Sequence, residues 1–383
     1  MNLFIKKTSL VLIVLFLTVS LASCCCKTDD IQYSMYKELG IQSLDSGEND
    51  EAIDYFKKAA NIKPDDFDIN YYLADTYYEK DDFKKAIEYY IKASKINSEN
   101  ANVFNDIGRS YYAMANYDEA ISYYNKAIEV NSKEPVYFYN IGLVEFDRGN
   151  FKKSEEYYKK ALVIKPEDIK TLNKLGDTYI YLKDHSAAIE TYKKSLECSE
   201  KNLDAYTGLG WANYLSKNYD QSIRYMKKAE ELAPEDPDIY YNFGKIYKAM
   251  DNMKKAIEYF EIGLSYSPED IDMRNELAYC YYINGEVDKS IKHLKNIIDE
   301  NPDFQEAYLA MGIVKCYTKK YDEALQYIDK AIELNPKDGD AYYYKGVAFY
   351  NKKQNKQAKE NFKLALKFNP DDVHSQKYLK TIK

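Results

Sequence analysis

Apolar and polar positions along this chain follow the spacing of helices, and the whole pattern repeats every 34 residues. Seven of the nine prolines mark the period, because every gap between successive members is 34 or a multiple of 34: Pro64, Pro166, Pro234, Pro268, Pro302, Pro336 and Pro370. Ten repeats therefore run without insertion from Tyr33 to Asp372. They span 33–66, 67–100, 101–134, 135–168, 169–202, 203–236, 237–270, 271–304, 305–338 and 339–372.

Two positions of the repeat, numbered 1 to 34, have complementary sizes. Position 8 carries a small residue in every repeat: Gly40, Ala74, Gly108, Gly142, Gly176, Gly210, Gly244, Ala278, Gly312 and Gly346. Position 24 carries a large one: Phe56, Tyr90, Tyr124, Tyr158, Tyr192, Met226, Phe260, Leu294, Ile328 and Phe362. Small side chains let two helix backbones approach, and large neighbours fill the space around them. Positions 4, 7, 8 and 11 form one helical face and positions 20, 24 and 27 another, which predicts two packed helices per repeat.

Turn signals lie between and after these two faces. Gly47, Gly149 and Gly285 occupy position 15, and the proline at position 32 ends the second helix. The pattern closely resembles the tetratricopeptide repeat family over about 340 of the 383 residues. The resemblance implies an all-α fold, a right-handed superhelical solenoid of ten helix-turn-helix repeats. Residues 373–383 are predicted to form a C-terminal capping helix, because Lys380 stands where another hairpin needs a small residue.

The first 32 residues are predicted to lie outside the repeats. Lys6 and Lys7 precede the apolar run 10–22, which at 13 residues is too short to span a bilayer but suits a signal peptide. The run ends in Leu21-Ala22-Ser23-Cys24, which resembles a bacterial lipobox. We expect a signal peptide at 1–23, lipidation of Cys24 and a polar tether over 24–32, which would anchor the chain outside the cytoplasm in a bacterial envelope. The alternative is an ordinary secretory peptide.

Composition adds exclusions rather than a site. The net charge is −8 and there is no long basic run, which argues against nucleic-acid binding. The chain has three histidines and contains no His-Glu-x-x-His, paired Cys-x-x-Cys or Walker-type loop. His185 lies at a position that other repeats fill with an aromatic residue, so it is interpreted as packing. We therefore predict no metal, no cofactor and no catalysis, although tetratricopeptide arrays also occur fused to enzymes.

In the tetratricopeptide family, positions 2, 5, 6, 9, 12 and 13 of the first helix line a concave surface. In repeats 3 to 5 of this chain they include a polar set: Asn105, Arg109, Tyr112, Asn140, Lys170, Asn173 and Lys174. Asn140, Lys170 and Lys174 match the family's carboxylate clamp, with Lys174 in place of the usual Arg. Asn105 and Arg109 nearly swap the clamp's first pair. The resemblance implies capture of an acidic peptide or chain terminus, and the alternative is a solvated polar surface.

In the second half of the chain the same positions carry an apolar set: Trp211, Tyr214, Leu215, Tyr279, Tyr282, Ile283, Ile313, Tyr317, Val347 and Tyr350. An exposed aromatic wall would bind protein. The alternative, that these rings pack sideways between helices, stays open. Position 2 of repeats 6 to 10 is acidic, and we interpret these residues as complements to the helix dipole rather than a stripe for a basic partner: Asp204, Asp238, Asp272, Glu306 and Asp340.

These patterns together predict a non-catalytic, lipid-anchored envelope scaffold or adaptor that binds protein or peptide partners through its groove. The alternative is a receptor or chaperone that captures a free peptide or glycan in the same groove. An enzyme is the third hypothesis, and turnover by the purified protein would be needed to support it.

Overall fold

The computed structural model describes residues 25–382, with side chains described for 28–382. In this range the regular elements are 21 α-helices, as the repeat pattern predicts. The signal peptide and the lipidation site at Cys24 lie outside the described residues. The chain divides into two compact units, the first ending at Ser199 and the second beginning at Glu200.

The first unit contains repeats 1 to 5. Its first helices are α1 (Cys25–Asp45), α3 (Phe67–Glu79), α5 (Ala101–Ala113), α7 (Pro135–Asp147) and α9 (Ile169–Tyr181). Its second helices are α2 (Asn49–Ile62), α4 (Phe83–Ile96), α6 (Tyr117–Val130), α8 (Phe151–Ile164) and α10 (His185–Cys198). Each first helix packs against the second helix of its own repeat, and each hairpin packs on the next within the unit.

The second unit contains repeats 6 to 10 and one further helix. Its first helices are α11 (Leu203–Leu215), α13 (Pro237–Ala249), α15 (Ile271–Ile283), α17 (Gln305–Tyr317) and α19 (Gly339–Asn351). Its second helices are α12 (Tyr219–Leu232), α14 (Met253–Tyr266), α16 (Val287–Glu300), α18 (Tyr321–Leu334) and α20 (Asn355–Phe368). The last helix, α21 (Val373–Thr381), packs on α20, where the rings of Phe362 and Tyr378 stack 4.7 Å apart.

The contact between positions 8 and 24 holds each hairpin together. A Cβ atom added to Gly108 would lie 2.6 Å from the Tyr124 ring, and one added to Gly244 would lie 2.4 Å from the Phe260 ring. No side chain fits at such distances without displacing its neighbour, so glycine is required by the close approach of the helices. The predicted pairing of small and large residues is confirmed in both units.

The turn between the two helices of each repeat passes through position 15 with a positive φ in all ten repeats. Glycine supplies this left-handed backbone at Gly47, Gly149 and Gly285. The other seven repeats place a residue with a side chain there: Asp81, Ala115, Lys183, Lys217, Asp251, Lys319 and Lys353. The turn geometry is therefore set by the hairpin packing, and glycine is not needed to impose it.

The helix starts follow the expected chemistry. Asp66, Asp168, Asp270, Asp338 and Asp372 occupy position 34, and the side chain of each accepts a hydrogen bond from a backbone N–H of the first turn. The acidic residues at position 2 of repeats 6 to 10 lie in the first turn of their helices, where a negative charge complements the helix dipole.

The segment before Tyr33 differs from its prediction. Residues 25–32 continue helix α1 toward the N-terminus instead of forming an extended polar tether. Asp30 forms an ion pair with Lys63 at 2.8 Å, and the Lys63 ammonium lies 4.4 Å from the centre of the Tyr33 ring. These contacts join the start of α1 to the residue that follows α2, so local polarity does not end the helix at position 1 of the repeat.

Candidate partner-binding faces of the first helices

In the first unit, side-chain hydrogen bonds connect the first helices of neighbouring repeats. The Tyr137 hydroxyl donates to Asn102 at 2.8 Å, and the Asn140 amide donates to Asn105 at 2.8 Å. The Tyr71 hydroxyl donates in the same way to Asp106. Each pair is separated by 35 residues, one more than the repeat, because facing positions on adjacent first helices are offset by one residue.

The cations of the predicted polar set have partners inside the protein. Arg109 lies 3.2 Å from Asp106, and its guanidinium lies 4.9 Å from the centre of the Tyr78 ring. Lys174 lies 3.1 Å from Asp177. Both pairs join residues three positions apart on one helix, and each neutralises the charge that a bound carboxylate would need.

The remaining members of the polar set divide between buried and accessible residues. Asn105 and Asn173 are buried, and the Asn173 amide oxygen accepts a hydrogen bond from Ser195 at 2.6 Å. Tyr112 donates to Asp147 at 2.5 Å, and Lys170 is exposed. The expectation that all seven side chains face a partner is therefore corrected for Asn105 and Asn173, whose amides are used in packing. Partner binding through the other residues stays a prediction.

Three first helices of the first unit enclose a cavity of about 650 Å³. It opens between α1, α3 and α5, and Tyr90 of α4 contributes to its wall. We call it the acidic cavity, and define it by six of its lining residues: Tyr71, Asp75, Tyr78, Glu79, Asp106 and Arg109. Only Asn105 and Arg109 of the predicted polar set reach this cavity, and sequence reasoning missed the other four groups of its charged and aromatic wall.

Burial perturbs one carboxyl group of the acidic cavity. The pKa of Asp75 is raised to about 6, chiefly because burial disfavours its charged form, and the nearby Asp106 adds to the effect. The hydroxyl of Tyr90 donates to one Asp75 oxygen at 2.5 Å and opposes this shift. Asp75 is thus partly buried with one hydrogen-bond donor on one of its two oxygens among the described contacts.

A sequence signal for this arrangement exists. Asp75 and Asp177 both occupy position 9, and each accepts a hydrogen bond from the tyrosine at position 24 of the same repeat. In repeat 4 position 9 is Leu143, and the fully buried Tyr158 hydroxyl has no hydrogen-bond partner among the described residues. An acid at position 9 with a tyrosine fifteen residues later therefore predicts a buried carboxylate–phenol pair.

In the second unit the predicted apolar set is only partly exposed. Tyr279, Ile283 and Tyr317 are 39%, 43% and 64% exposed, and they lie on α15 and α17. The other seven are half-buried: Trp211, Tyr214, Leu215, Tyr282, Ile313, Val347 and Tyr350. Both alternatives from the sequence therefore apply, each to different residues. We call Tyr279, Tyr282, Ile283 and Tyr317 the aromatic face.

Ring contacts organise the aromatic face. The Tyr282 and Tyr317 rings lie 5.2 Å apart across α15 and α17, and the Tyr279 and Tyr282 rings lie 6.5 Å apart on α15. The ammonium of Lys248 lies 5.1 Å from the centre of the Tyr279 ring and also pairs with Glu276 at 2.5 Å. The face thus presents large, amphipathic rings held in place by their neighbours, which is the composition typical of protein interfaces.

Other kinds of site are not found in the part of the chain that the structure describes. No group of three or more His, Cys, Asp or Glu side chains within residues 25–382 is arranged to hold a metal ion. Over the same residues, no helix combines the length and the apolar composition that crossing a bilayer requires.

The helix pairs and their repeated contacts define the class of protein: an all-α, helical-repeat protein. Models of the tetratricopeptide repeat match residues 65–133, 136–201, 170–235 and 318–381, and a further repeat model of that family matches 43–81. A model described as anaphase-promoting complex, cyclosome, subunit 3 matches 249–331. The chain belongs to the tetratricopeptide repeat family.

Solved structures agree on the fold. Yeast Tom70 is 15% identical with a TM-score of 0.52, over 92% of this chain and 96% of that one, and this likeness shows the fold alone. The Cut9–Hcn1 complex of the APC/C is 15% identical over 91% of this chain and 96% of that one, with a TM-score of 0.49. MamA is 26% identical over 44% of this chain and 93% of that one, with a TM-score of 0.41. No curated protein sequence matches significantly.

Proposed function

We propose that this protein is a non-catalytic scaffold or adaptor that binds partner proteins through its first helices and is held at a bacterial envelope by a lipid on Cys24. A fold of this family is suited to protein–protein interaction. The observation that carries the proposal is the aromatic face, where Tyr317, Tyr279 and Ile283 stay exposed on two adjacent helices. Exposed rings grouped on one face favour a binding surface over scattered surface residues.

The test is crosslinking in the native envelope followed by mass spectrometry, comparing the wild type with a Tyr279→Ala/Tyr317→Ala double variant. The matched control is Val163→Ala/Tyr266→Ala, which removes apolar side chains that are 82% and 46% exposed but lie on second helices. We expect a stoichiometric partner in the wild type and the control, and its loss in the first variant. Equal crosslinking in all three proteins would contradict a role for the aromatic face.

Anchoring is tested separately. The support is the basic pair Lys6 and Lys7, the apolar run 10–22 and the Leu-Ala-Ser-Cys sequence that ends at Cys24. Metabolic labelling with an alkyne-tagged fatty acid should mark the wild type and leave Cys24→Ser unlabelled, whereas Cys25→Ser should keep its label. Labelling of Cys24→Ser at the wild-type level would show that another residue carries the lipid or that this segment is not a lipoprotein signal.

A second function is supported by the acidic cavity. A volume of about 650 Å³ lies within the usual range for ligand sites, so a receptor or chaperone that captures a free peptide remains a candidate. Equilibrium binding of isolated peptides to the purified chain, with no macromolecular partner in the native crosslinks, would favour this function over the scaffold.

A further inference from the structure

We propose that the acidic cavity binds a cationic side chain, arginine or lysine, from an extended segment of a partner protein. The inference rests on the proposed function, because it names the chemistry of one partner contact. It reverses the charge expected from a carboxylate clamp at these helices.

The charge balance of the wall supports a cation. Arg109 and Asp106 form an ion pair, so their charges cancel. Tyr71 and Asn105 also donate hydrogen bonds to Asp106, which leaves little capacity on that carboxylate for a guest. Asp75 and Glu79 then supply the remaining charges, and both are negative at neutral pH.

The geometry of these two acids favours a shared guest. Asp75 and Glu79 are four residues apart on α3, so they lie on the same side of the helix and repel each other. Asp75 lies inside the cavity, whereas Glu79 is exposed. A cation placed between them would relieve that repulsion and compensate the buried charge of Asp75, which is otherwise stabilised by the single hydrogen bond from Tyr90.

The aromatic wall suits a long side chain with a charged tip. Tyr71 and Tyr90 contact each other edge to face at 5.4 Å, and both line the cavity. Aromatic faces attract guanidinium and ammonium groups and also pack against the methylene stem. Arg109 already uses the ring of Tyr78 in this way, which demonstrates the contact within the protein itself.

An anionic guest fits this cavity poorly. The guanidinium of Arg109 is neutralised by Asp106, and a carboxylate entering the cavity would face Asp75 and Glu79. Charge complementarity therefore selects the sign of the guest, which a matched set of peptides tests directly.

The experiment measures fluorescence anisotropy with the full-length protein in detergent. The probes are blocked Ala-Ala-X-Ala-Ala peptides carrying a neutral fluorophore, with X arginine, citrulline or glutamate. Citrulline keeps the shape of arginine without its charge. We expect the arginine peptide to bind at least about tenfold more tightly than the other two, the difference that one charge pair in a partly buried site supplies. Equal affinities, preference for glutamate, or no saturable arginine binding would overturn the proposal.

Three variants locate the site. Asp75→Asn should weaken arginine-peptide binding about tenfold, and Glu79→Gln should weaken it less, because its carboxylate is exposed. Glu79→Gln leaves the Tyr90 contact in place, so it reports on the site even if Asp75→Asn unfolds. Asp118→Asn removes an exposed carboxylate on α6 and should bind as the wild type does. An unchanged affinity in both cavity variants would sink the proposal.

Two further arms separate this inference from neighbouring ones. Spermidine should compete only weakly; competition as strong as that of the peptide would show a site for free cations and overturn the peptide occupant. If the Asp75→Asn/Glu79→Gln variant loses arginine-peptide binding, its native crosslinks should lose one partner contact. If binding was absent from the start but the aromatic-face crosslinks persist, the cation site fails while the scaffold function stands.

Discussion

The two units use the same repeat positions for different chemistry. In the first unit position 9 carries Ile41, Asp75, Arg109, Leu143 and Asp177, and position 24 carries phenylalanine once and tyrosine four times. In the second unit position 9 carries Trp211, Lys245, Tyr279, Ile313 and Val347, and position 24 carries no hydroxyl group. The first unit therefore has carboxylate–phenol pairs and the acidic cavity, while the second has the aromatic face.

The comparison teaches that hairpin packing and surface chemistry are separable. The contact of a small residue at position 8 with a large one at position 24 occurs with tyrosine, methionine, isoleucine and phenylalanine alike. Because volume and close approach satisfy this contact, the hydroxyl group at position 24 is free to hold a side chain at position 9. Position 9 then decides what the first-helix face offers to a partner.

Removing a position-24 ring should have the largest effect, and an equal one in both units. Tyr192→Ala and Phe260→Ala each leave a cavity against a glycine-lined helix, so each should lower the free energy of unfolding by about 3–5 kcal/mol. Urea unfolding followed by circular dichroism checks this. A cost much smaller in one unit would show that its hairpins are held by other contacts.

The pH dependence of stability should have opposite signs in the two units. Burial raises the folded-state pKa of Asp75 to about 6, above that of the unfolded chain, so ionisation of Asp75 destabilises the fold as pH rises from about 4 through 6. At Glu276 burial acts to raise the pKa, but Lys248 and Lys245 outweigh it, and the pKa is lowered. That contribution is present above the unfolded pKa and is lost as the pH falls through the folded one.

Unfolding midpoints measured from pH 3 to pH 8 test this contrast. Asp75→Asn should remove a decline in stability between about pH 4 and pH 7, and Glu276→Gln should remove a loss of stability in the acid range below that. The Asp75 contribution is at most about 3 kcal/mol, since one pKa unit corresponds to about 1.4 kcal/mol. Superimposable pH profiles of Asp75→Asn and wild type would contradict the assignment.

Deleting a hydroxyl group at position 24 should separate neighbouring repeats of the first unit. Tyr192→Phe removes the 2.6 Å hydrogen bond to Asp177 and should cost about 1 kcal/mol. Tyr158→Phe removes a buried hydroxyl without a partner among the described residues and should be neutral or slightly stabilising. The same urea titration measures both. Equal losses would mean that the Tyr158 hydroxyl is bonded in solution.

The smallest effects are expected at the turns, where the two units should agree. Ala115 and Lys217 have φ values of 57° and 61°, so Ala115→Gly and Lys217→Gly should each stabilise the protein by about 0.5–1 kcal/mol. Gly149→Ala and Gly285→Ala should each destabilise it by a similar amount. Thermal melting of the four variants is the measurement, and a destabilising glycine at 115 or 217 would refute the role given to the left-handed turn.

The sequence predicted the repeat boundaries and the helix pairs because these depend on local signals. A 34-residue period, a small residue at position 8 and a large one at position 24 are visible in single repeats, and ten copies remove ambiguity. The polar tether was wrong for residues 25–32, since the Asp30–Lys63 ion pair that supports the helix joins residues 33 positions apart. A signal at that separation is not part of any local pattern.

The candidate faces depended on contacts between repeats, which the sequence does not display. It named Arg109 and Lys174 as available cations, but only the tertiary structure placed Asp106 and Asp177 beside them. It left the exposure of the aromatic set open, and packing exposed three of its ten members while half-burying the rest. The sequence by itself determined the fold because hydrophobic periodicity is a property of each helix. The surface chemistry was decided by the tertiary structure, because charge neutralisation and burial depend on which side chains from neighbouring turns and helices meet.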